Sequence, residues 1–165
     1  EDRSGCAVGV LFLPKDPDER IASKLLLEKA LLAENFDILG YRIVPVDSRV
    51  LGERSAKTEP WIEQIVISHP TARGQPLESK LYIARKKAEK QMSYEALYVA
   101  SLSTKTVVYK GMLKSSALPA YYKDLTDPRF EVQYGLWHRR FSTNTMPRWP
   151  LAQPFRMIGH NGEIN

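Results

Sequence analysis

Residues 137–165 decide the fold and read W-H-R-R-F-S-T-N-T-M-P-R-W-P-L-A-Q-P-F-R-M-I-G-H-N-G-E-I-N. A strand-like lead-in passes directly into polar side chains from Arg140 to Asn144, and three prolines follow. Because proline fixes φ and has no backbone N–H to donate to a sheet, we expect the proline-rich part to be an ordered connection between two strands. A second strand-like run then closes on the polar residues 160–162. The pattern places two clusters of hydrogen-bonding side chains at strand ends, where a sheet can hold them around a ligand.

The same stretch resembles one protein family. Its three motifs are H-x-R-F-S-T-N-T at 138–145, W-P-L-A-Q-P-F-R at 149–156 and H-N-G-E-I-N at 160–165. Together they resemble the glutaminase domain of glutamate synthases, which are class II (N-terminal-nucleophile) glutamine amidotransferases. Looser similarity reaches back through A-V-G-V-L-F-L-P at 7–14, T-E-P-W-I-E-Q at 58–64 and the run from S-L-S to Y-K-G-M at 101–112. A compound motif of this length is more specific than any single short motif.

Composition predicts one globular domain over residues 1–165, here part of a class II amidotransferase domain. The hydrophobic fraction is 43% and the charged fraction is 26%, both ordinary values for such a domain. No apolar run is long enough to cross a bilayer, so we expect no membrane partner. The single cysteine excludes an internal disulfide framework and a cysteine-rich zinc site, which favours a reducing, cytoplasmic compartment.

The net charge of +5 raises the question of nucleic-acid binding. The densest basic run, residues 85–90, lies in a helix-like stretch that also carries Glu78 and Glu89. Such a run is typical of a solvated helix face, so we predict no nucleic-acid partner.

Two amphipathic helices are expected. Residues 16–36 begin with Asp16 as a cap and Pro17 at the first helical position. The predicted apolar face of this helix consists of Ile21, Ala22, Leu25 and Leu32. Residues 77–92 form the second helix, with an apolar face made by Leu81, Ile83, Ala84 and Ala88. A shorter helix is expected at 115–122, capped by Ser115 or Ser116.

The remaining apolar runs predict strands. They lie at 6–13, 36–46, 61–68 and 130–141, with a further strand at 155–158 and a hairpin at 94–111. Residues 47–60 are expected to be a loop with at most one turn of helix. Helices covering a sheet with frequent hairpins indicate an α+β layered domain. The family resemblance implies the four-layer αββα sandwich of the N-terminal-nucleophile hydrolases.

The resemblance also implies roles for individual residues. Glutamine hydrolysis needs a nucleophile, donors for the developing oxyanion and groups that hold the substrate. The side-chain amide of Asn161 and the backbone N–H of Gly162 correspond to the family's oxyanion hole. Arg140 corresponds to the arginine that binds the substrate carboxylate with two parallel hydrogen bonds, and Thr143 and Asn144 to the neighbouring substrate-contacting turn.

Each of these residues also has a simpler interpretation. Arg140 alone fits a sheet-edge arginine paired with a buried acid, and Asn161-Gly162 alone fits a hairpin turn. The two polar clusters occur together in family spacing, and this favours the glutamine site. His138 and His160 are interpreted as structural hydrogen-bonding groups.

Cys6 has two interpretations. Class II amidotransferases use an N-terminal cysteine whose own amine acts as the base, and Cys6 could do so if residues 1–5 were removed. However, A-V-G-V-L-F-L-P matches a later strand of the family, and a cysteine in a strand is commonly a small buried side chain. We therefore expect an internal fragment that lacks the nucleophile, is inactive by itself and is marginally stable.

The sequence therefore predicts part of the glutaminase domain of a glutamate synthase, with L-glutamine and the remainder of that chain as partners. In the parent enzyme, the resemblance implies reductive amination of 2-oxoglutarate at a distant site that uses FMN and iron–sulfur clusters. No cofactor is expected in this segment, and a plastid location fits a plant-type ferredoxin enzyme. Two alternatives remain: an inactive module that binds glutamine for regulation, and another class II amidotransferase.

Overall fold

The structure is a computed structural model that describes residues 5–93, 95–141 and 146–153. Contacts within the chain group its residues into two compact units. The first unit consists of Glu1–Ile43 and Pro60–Val107, and the second of Val44–Glu59 and Val108–Asn165. No helix in the described part of the chain has both the length and the apolar character needed to span a membrane.

Four strands and four helices form the regular part of the described chain. The strands are β1 (Cys6–Leu13), β2 (Asp37–Ile43), β3 (Trp61–Ser68) and β4 (Tyr98–Ser103). The helices are α1 (Pro17–Leu32), α2 (Glu53–Lys57), α3 (Gly74–Glu89) and α4 (Leu118–Tyr121). The strands form one antiparallel sheet in the order β2-β3-β1-β4. Mixed helix and antiparallel sheet confirm the α+β class, and β1 and β3 have the predicted bounds.

Helix α1 begins as predicted but ends earlier. The Asp16 carboxylate accepts hydrogen bonds from the backbone N–H groups of Asp18 and Glu19. At the other end Asn35 adopts a left-handed conformation, with φ of 65°, and the N–H of Phe36 bonds to the carbonyl of Leu31. This Schellman-type ending stops the helix before residue 36 and turns the chain into β2.

The predicted apolar face of α1 is wrong. Its members are all exposed: Ile21, Ala22, Leu25 and Leu32. The buried positions are instead Ser23, Leu27, Ala30 and Leu31. Ser23 can be buried because its hydroxyl donates to the carbonyl of Glu19 at 2.7 Å. The apolar residues of α1 form more than one stripe along the helix. The stripe that packs includes a serine, so the pattern of apolar residues did not indicate it.

Helix α3 packs with α1 on the same face of the sheet. Leu77, Leu81, Ala84 and Ala88 of α3 are fully buried at helical spacing, whereas Ile83 is exposed. The prediction was therefore right for three of its four α3 positions. The first unit's core joins these residues to Leu27 and Leu31 of α1 and to strand residues such as Leu11, Ile65 and Val99.

Polar side chains hold α1 against the edge of the sheet. Lys24 pairs with the buried carboxylate of Glu63 at 2.8 Å, and its ammonium lies 3.6 Å from the centre of the Tyr41 ring. The Tyr41 hydroxyl donates to Glu28, one helical turn after Lys24. Burial, followed by the hydrogen bond to Glu28, raises the pKa of Tyr41 far above its ordinary value. The lysine ammonium thus lies over the face of the aromatic ring, while the ammonium and the phenol each also bind a carboxylate.

The sheet is also buried on its second face. Val10, Phe12, Ile62 and Tyr98 are all buried, and alternation along the strands puts them opposite the residues that contact α1 and α3. The Phe12 and Tyr98 rings lie 5.7 Å apart on this face. An antiparallel sheet with apolar residues on both faces is typical of an inner layer, not of a sheet with one solvated face.

The predicted hairpin at 94–111 is wrong. Its first arm is β4, which pairs with β1, and within the described residues its second arm forms no strand. The buried carboxylate of Glu78 accepts hydrogen bonds from the Thr104 N–H, the Thr104 hydroxyl and the Ser103 hydroxyl. Ser103 and Thr104, the residues expected at the hairpin turn, are therefore bound to Glu78 of α3. The chain leaves the sheet at this point.

The described residues of the second unit form short helices and turns. Besides α2 and α4 it has single 3₁₀ turns at Ser48–Val50, Ser115–Ala117 and Lys123–Thr126. The predicted helix at 115–122 is thus two short pieces, without a side-chain hydrogen bond at either cap. The predicted strand at 130–141 is wrong, because residues 130–141 form no strand and nearly all of them are exposed. The strand expected at 155–158 lies outside the described residues.

Candidate active site

The structure describes one of the five predicted site residues. Arg140 lies in a segment without regular secondary structure, where it is exposed. Within the described part of the chain, no carboxylate forms an ion pair with it. The simpler interpretation, an arginine paired with a buried acid, is therefore not seen there. Thr143, Asn144, Asn161 and Gly162 lie outside the described residues, so their predicted roles stay predictions.

The proline-rich connector between the two predicted clusters is described from Met146 to Gln153. It forms a turn in which the N–H of Leu151 donates to the carbonyl of Arg148 at 3.1 Å. No strand occurs in this segment, as its prolines predicted. We call residues 146–153 the connector.

Trp149 anchors the connector in the second unit. Its side chain is almost fully buried, its indole N–H donates to the carbonyl of Ser55 at 3.1 Å, and its ring lies 5.6 Å from that of Tyr121. A Cβ added at Gly111 would come within 2.5 Å of the Trp149 ring. Glycine is therefore required at 111 because the indole lies directly against the backbone there.

Lys110 holds the next residue of the connector. Its side chain is buried, and its Nζ donates to the carbonyl of Pro150 at 2.9 Å. The Tyr122 hydroxyl donates to the carbonyl of Lys110 at 2.7 Å. Successive residues, Lys110 and Gly111, thus contact the successive residues Pro150 and Trp149.

Two buried tyrosines complete this region. The Tyr121 hydroxyl donates to the carboxylate of Glu59 at 2.8 Å, and the same carboxylate oxygen accepts from the Ser48 hydroxyl at 2.7 Å. Burial raises the pKa of Tyr121 far above its ordinary value, with smaller contributions from Tyr122 and the Glu59 hydrogen bond. Burial likewise raises the pKa of Tyr122. Both phenols therefore act as fixed hydrogen-bond donors rather than as acids.

The loop at Asp47 is fixed to the same region. The N–H of Asp47 donates to the carbonyl of Tyr121, and the N–H of Lys123 donates to the carbonyl of Pro45. Hydrogen bonds from Arg49, which donates to both carboxylate oxygens, are the largest cause that lowers the pKa of Asp47. Lys123 also reaches this carboxylate, at 3.4 Å. Loop 44–47 and segment 121–123 are therefore held together by backbone hydrogen bonds and by an ion pair.

Two further residues of the first unit bear on the site: Cys6, a candidate nucleophile in the sequence, and His69, which no motif in the sequence indicated. Cys6 is a half-buried residue of β1 whose backbone pairs with Ser68, which fits the interpretation of a strand residue. His69 is buried, and its Nδ1 accepts from the N–H groups of Thr71 and Ala72. This bonding makes it a structural histidine at the start of the loop before α3. Among the described residues, no three His, Cys, Asp or Glu side chains come together in a way that could hold a metal ion.

The comparison with protein families explains why these motifs occur together. The model of the family "Glutamine amidotransferases class-II" matches residues 1–165. The chain belongs to this family. Class II amidotransferase membership confirms the resemblance found in the sequence, and it covers the whole chain.

Similar class II proteins include glutamate synthases from several organisms. The chain is 47% identical over 165 residues to ferredoxin-dependent glutamate synthase 2 of Synechocystis. The matched region covers 99% of the chain and 10% of that relative. It is 43% identical to the chloroplastic ferredoxin-dependent enzyme of Oryza sativa, over 99% of the chain and 10% of the relative. It is also 43% identical to the glutamate synthase [NADPH] large chain of Azospirillum brasilense, over 96% of the chain and 11% of the relative. The chain spans about a tenth of the length of these relatives.

Sequence reasoning missed the residues that anchor the connector in this class II chain. Lys110 lies in T-V-V-Y-K-G at 106–111, where the alternation predicts the second arm of a hairpin. A lone cation flanked by Val107, Val108 and Met112 was the available signal, because a lysine among apolar residues is buried only when its ammonium has a partner. Glu59 and Trp149 were noted only as parts of motifs.

Proposed function

We propose that this chain is part of a glutaminase domain of a glutamate synthase, which hydrolyses L-glutamine to glutamate and ammonia. The observation that carries the proposal is the match of all 165 residues to class II amidotransferases, with 47% identity to one glutamate synthase. Two motifs support a glutamate synthase over other class II amidotransferases. They are W-P-L-A-Q-P-F-R and H-N-G-E-I-N, the segments that resemble glutamate synthases.

The reaction is acyl transfer in two steps. A cysteine thiolate attacks the carbon of the glutamine side-chain amide, and the electron pair of the C=O bond moves onto the oxygen. Collapse of this intermediate breaks the C–N bond, and the nitrogen leaves as ammonia after taking up a proton. Water then attacks the thioester, which releases glutamate and the free thiol. The match of residues 7–14 to a later strand of the family supports a nucleophile other than Cys6, N-terminal to these residues.

Five residues of this chain receive roles in that reaction. Asn161 and Gly162 donate to the oxyanion, whose negative charge is fully developed only in the intermediate. Arg140 binds the substrate α-carboxylate, while Thr143 and Asn144 contact the substrate beside it. The exposure of Arg140, without a described acid beside it, supports its availability for a carboxylate from solution.

The fold and the context of the parent enzyme are part of the same proposal. Apolar burial on both faces of the sheet supports a four-layer αββα sandwich, in which this sheet packs against a second one. The single domain over residues 1–165 is proposed within that sandwich. FMN and iron–sulfur clusters are proposed for the remainder of the enzyme, where ammonia reductively aminates 2-oxoglutarate. A cytoplasmic or plastid location fits the relatives, one of which is named chloroplastic.

The test is glutaminase activity of the full-length parent protein that contains residues 1–165 (the full chain), with substitutions at Arg140 and at its neighbour. Arg140→Ala is expected to raise the KM for glutamine about a hundredfold, because the hydrogen bonds between the substrate carboxylate and a charged donor are lost. The matched control is Arg139→Ala, which removes an equally exposed arginine one residue away. Equal effects of the two substitutions would sink the role of Arg140.

Product analysis separates the alternatives. Release of glutamate and ammonia in equal amounts supports the glutaminase. Glutamine binding measured by calorimetry without turnover supports an inactive regulatory module, and amide transfer to an acceptor other than 2-oxoglutarate supports another class II amidotransferase. Because relatives named for ferredoxin and for NADPH are both similar, the synthase assay is run with each reductant.

A further inference from the structure

The second unit contains a buried cation that no step of the proposed reaction uses. Lys110 is only 2% exposed, and its Nζ donates to the carbonyl of Pro150 at 2.9 Å. An ammonium is costly to remove from water unless hydrogen bonds replace those that it loses. An apolar residue of the same length would fill this position without that cost. The lysine therefore supplies something that packing alone does not.

Lys110 binds the connector, a backbone segment that has no sheet pairing to fix its position. The connector carries Pro147 and Pro150, which have no N–H, and it forms no strand ladder. Within the described residues, its own backbone bonds close only a local turn, from Leu151 to Arg148 and from Ala152 to Trp149. Side chains tie this turn to the rest of the unit: Lys110 donates to the carbonyl of Pro150, and Trp149 donates to the carbonyl of Ser55.

Lys110 is itself held in place on its backbone side. The Tyr122 hydroxyl donates to the Lys110 carbonyl at 2.7 Å, and the Tyr122 ring lies 4.7 Å from that of Tyr121. Tyr121 in turn contacts the Trp149 ring. The contacts close a loop from Lys110 through the two tyrosines to Trp149 and back through Pro150. A closed set of contacts fixes a distance better than a single bond does, because each member is held from two sides.

The connector joins the two segments that carry the proposed glutamine site. Asn144 precedes it by two residues, and the H-N-G motif follows it in the sequence. The connector is therefore the described part of the chain that links the substrate-binding and the oxyanion-binding segments in the sequence. A misplacement of about 1 Å at such groups can cost about a hundredfold in rate.

We propose that Lys110 is a positioning residue for the glutamine site. Its ammonium fixes the Pro150 carbonyl and thereby holds the connector, which in the sequence links the segment of Arg140 to the segment of Asn161. This role rests on the proposed glutaminase function, and its effect on the connector is independent of that function. Lys110 does not touch the substrate; it acts through the connector.

The experiment compares Lys110→Met with Lys114→Met in the full chain. Lys114 is an exposed lysine of the same unit that makes no cap hydrogen bond, so its substitution controls for the loss of one positive charge. Hydrogen exchange is measured at the amides of Leu151, Ala152 and Gln153, and glutaminase kinetics are measured on the same preparations. Lys110→Met is expected to speed exchange at these amides at least about tenfold and to raise the KM for glutamine at least about tenfold.

Lys110→Arg gives the rescue measurement. It keeps a charged donor near the Pro150 carbonyl, so the KM is expected to return at least halfway, on a logarithmic scale, to that of the unaltered protein. If Lys110 had only a stabilising role, its substitutions would change the melting temperature, but the KM for glutamine would not differ between Lys110→Met and Lys110→Arg. If Lys110→Met does not fold, Lys110→Gln, which keeps a neutral donor, replaces it in the same measurements.

Two outcomes would overturn the inference. Unchanged exchange at residues 151–153 shows that Lys110 does not hold the connector, whatever the enzyme does. Faster exchange with unchanged KM and kcat shows a structural residue without a positioning role. If the unaltered full chain releases no glutamate or ammonia, the proposed function fails instead, and exchange together with glutamine binding measured by calorimetry then decides the role of Lys110.

Discussion

The two units bury different kinds of side chain. In the first unit the most completely buried groups are aliphatic, such as Leu27 and Leu81, and they pack against a regular antiparallel sheet. In the second unit they are Tyr121, Tyr122 and Trp149, and each donates a hydrogen bond to a carboxylate or a backbone carbonyl. Aromatic residues with a polar end can bury area and bind backbone at the same time.

This difference follows from how each unit satisfies its backbone. A sheet pairs its own N–H and C=O groups, so its side chains are left to pack. Short helices and turns pair fewer of their backbone groups in a regular ladder, and side-chain donors reach carbonyls such as those of Ser55 and Lys110. The first unit should therefore respond most to lost volume, and the second most to changes in hydrogen bonding and ionisation.

The largest expected effect is on packing in the first unit. Leu27→Ala removes a side chain that is 0% exposed at the centre of the α1 contact. We expect the free energy of unfolding to fall by about 2–5 kcal/mol, because apolar contact is lost and a cavity remains. Chemical denaturation at pH 7 measures the change.

The matched control is the same substitution two residues earlier. Leu25 is 59% exposed on the outer side of α1, so Leu25→Ala should change the free energy of unfolding by less than about 0.5 kcal/mol. Equal losses for Leu25 and Leu27 would mean that the face of α1 predicted from the sequence packs after all, against a surface outside the described contacts.

Much of the first unit could be predicted from sequence. Strands β1 and β3 followed from their apolar runs, and the start of α1 followed from Asp16 and Pro17. The buried face of α1 could not be predicted, because the helix has several leucines and only the fold decides which of them meet the sheet. The hairpin failed for a similar reason: the carboxylate that binds Thr104 comes from Glu78, far away in the sequence.

The candidate site shows the same limit. Its motifs identified the family correctly, because the class II amidotransferase family matches residues 1–165 and similar glutamate synthases match 99% of the chain. The anchoring of the connector could not be predicted, because Lys110 and Pro150 are 40 positions apart and no local pattern relates them. A false strand was predicted at 130–141 because alternation of residues such as Val132 and Tyr134 indicates a strand only when a partner is present.

The second prediction concerns ionisation in the second unit. Tyr121 has a pKa raised from its ordinary value of 10.0, mainly by burial. In the unfolded chain the phenol ionises near pH 10.0, whereas the folded protein keeps its proton. The resulting stability is fully present below pH 10.0 and is lost as the pH rises further. Each such tyrosine should lower the free energy of unfolding by about 1.4 kcal/mol per pH unit above 10.0.

Tyr121→Phe tests the assignment of this slope. The variant loses one ionisable group, so its free energy of unfolding should fall less steeply above pH 10.0 than that of the unaltered protein. Denaturation curves between pH 7 and pH 9 provide the baseline, since the phenol is protonated in both states there and the two proteins should differ by a constant. Identical slopes above pH 10.0 would mean that Tyr121 is not buried as described.

The smallest expected effect returns to the first unit, at the start of α1. The Asp16 carboxylate accepts from the N–H groups of Asp18 and Glu19, at 3.0 Å each. Asp16→Ala should lower the free energy of unfolding by about 1 kcal/mol, because both amides lose an acceptor. Asp16→Asn keeps a side-chain oxygen for them and should cost only a few tenths of this amount. A loss for Asn as large as that for Ala would show that the negative charge at the helix start, rather than the hydrogen bonds, provides the stabilisation. Since both substitutions lie outside the packed core, their difference isolates the cap from the apolar contacts that dominate this unit.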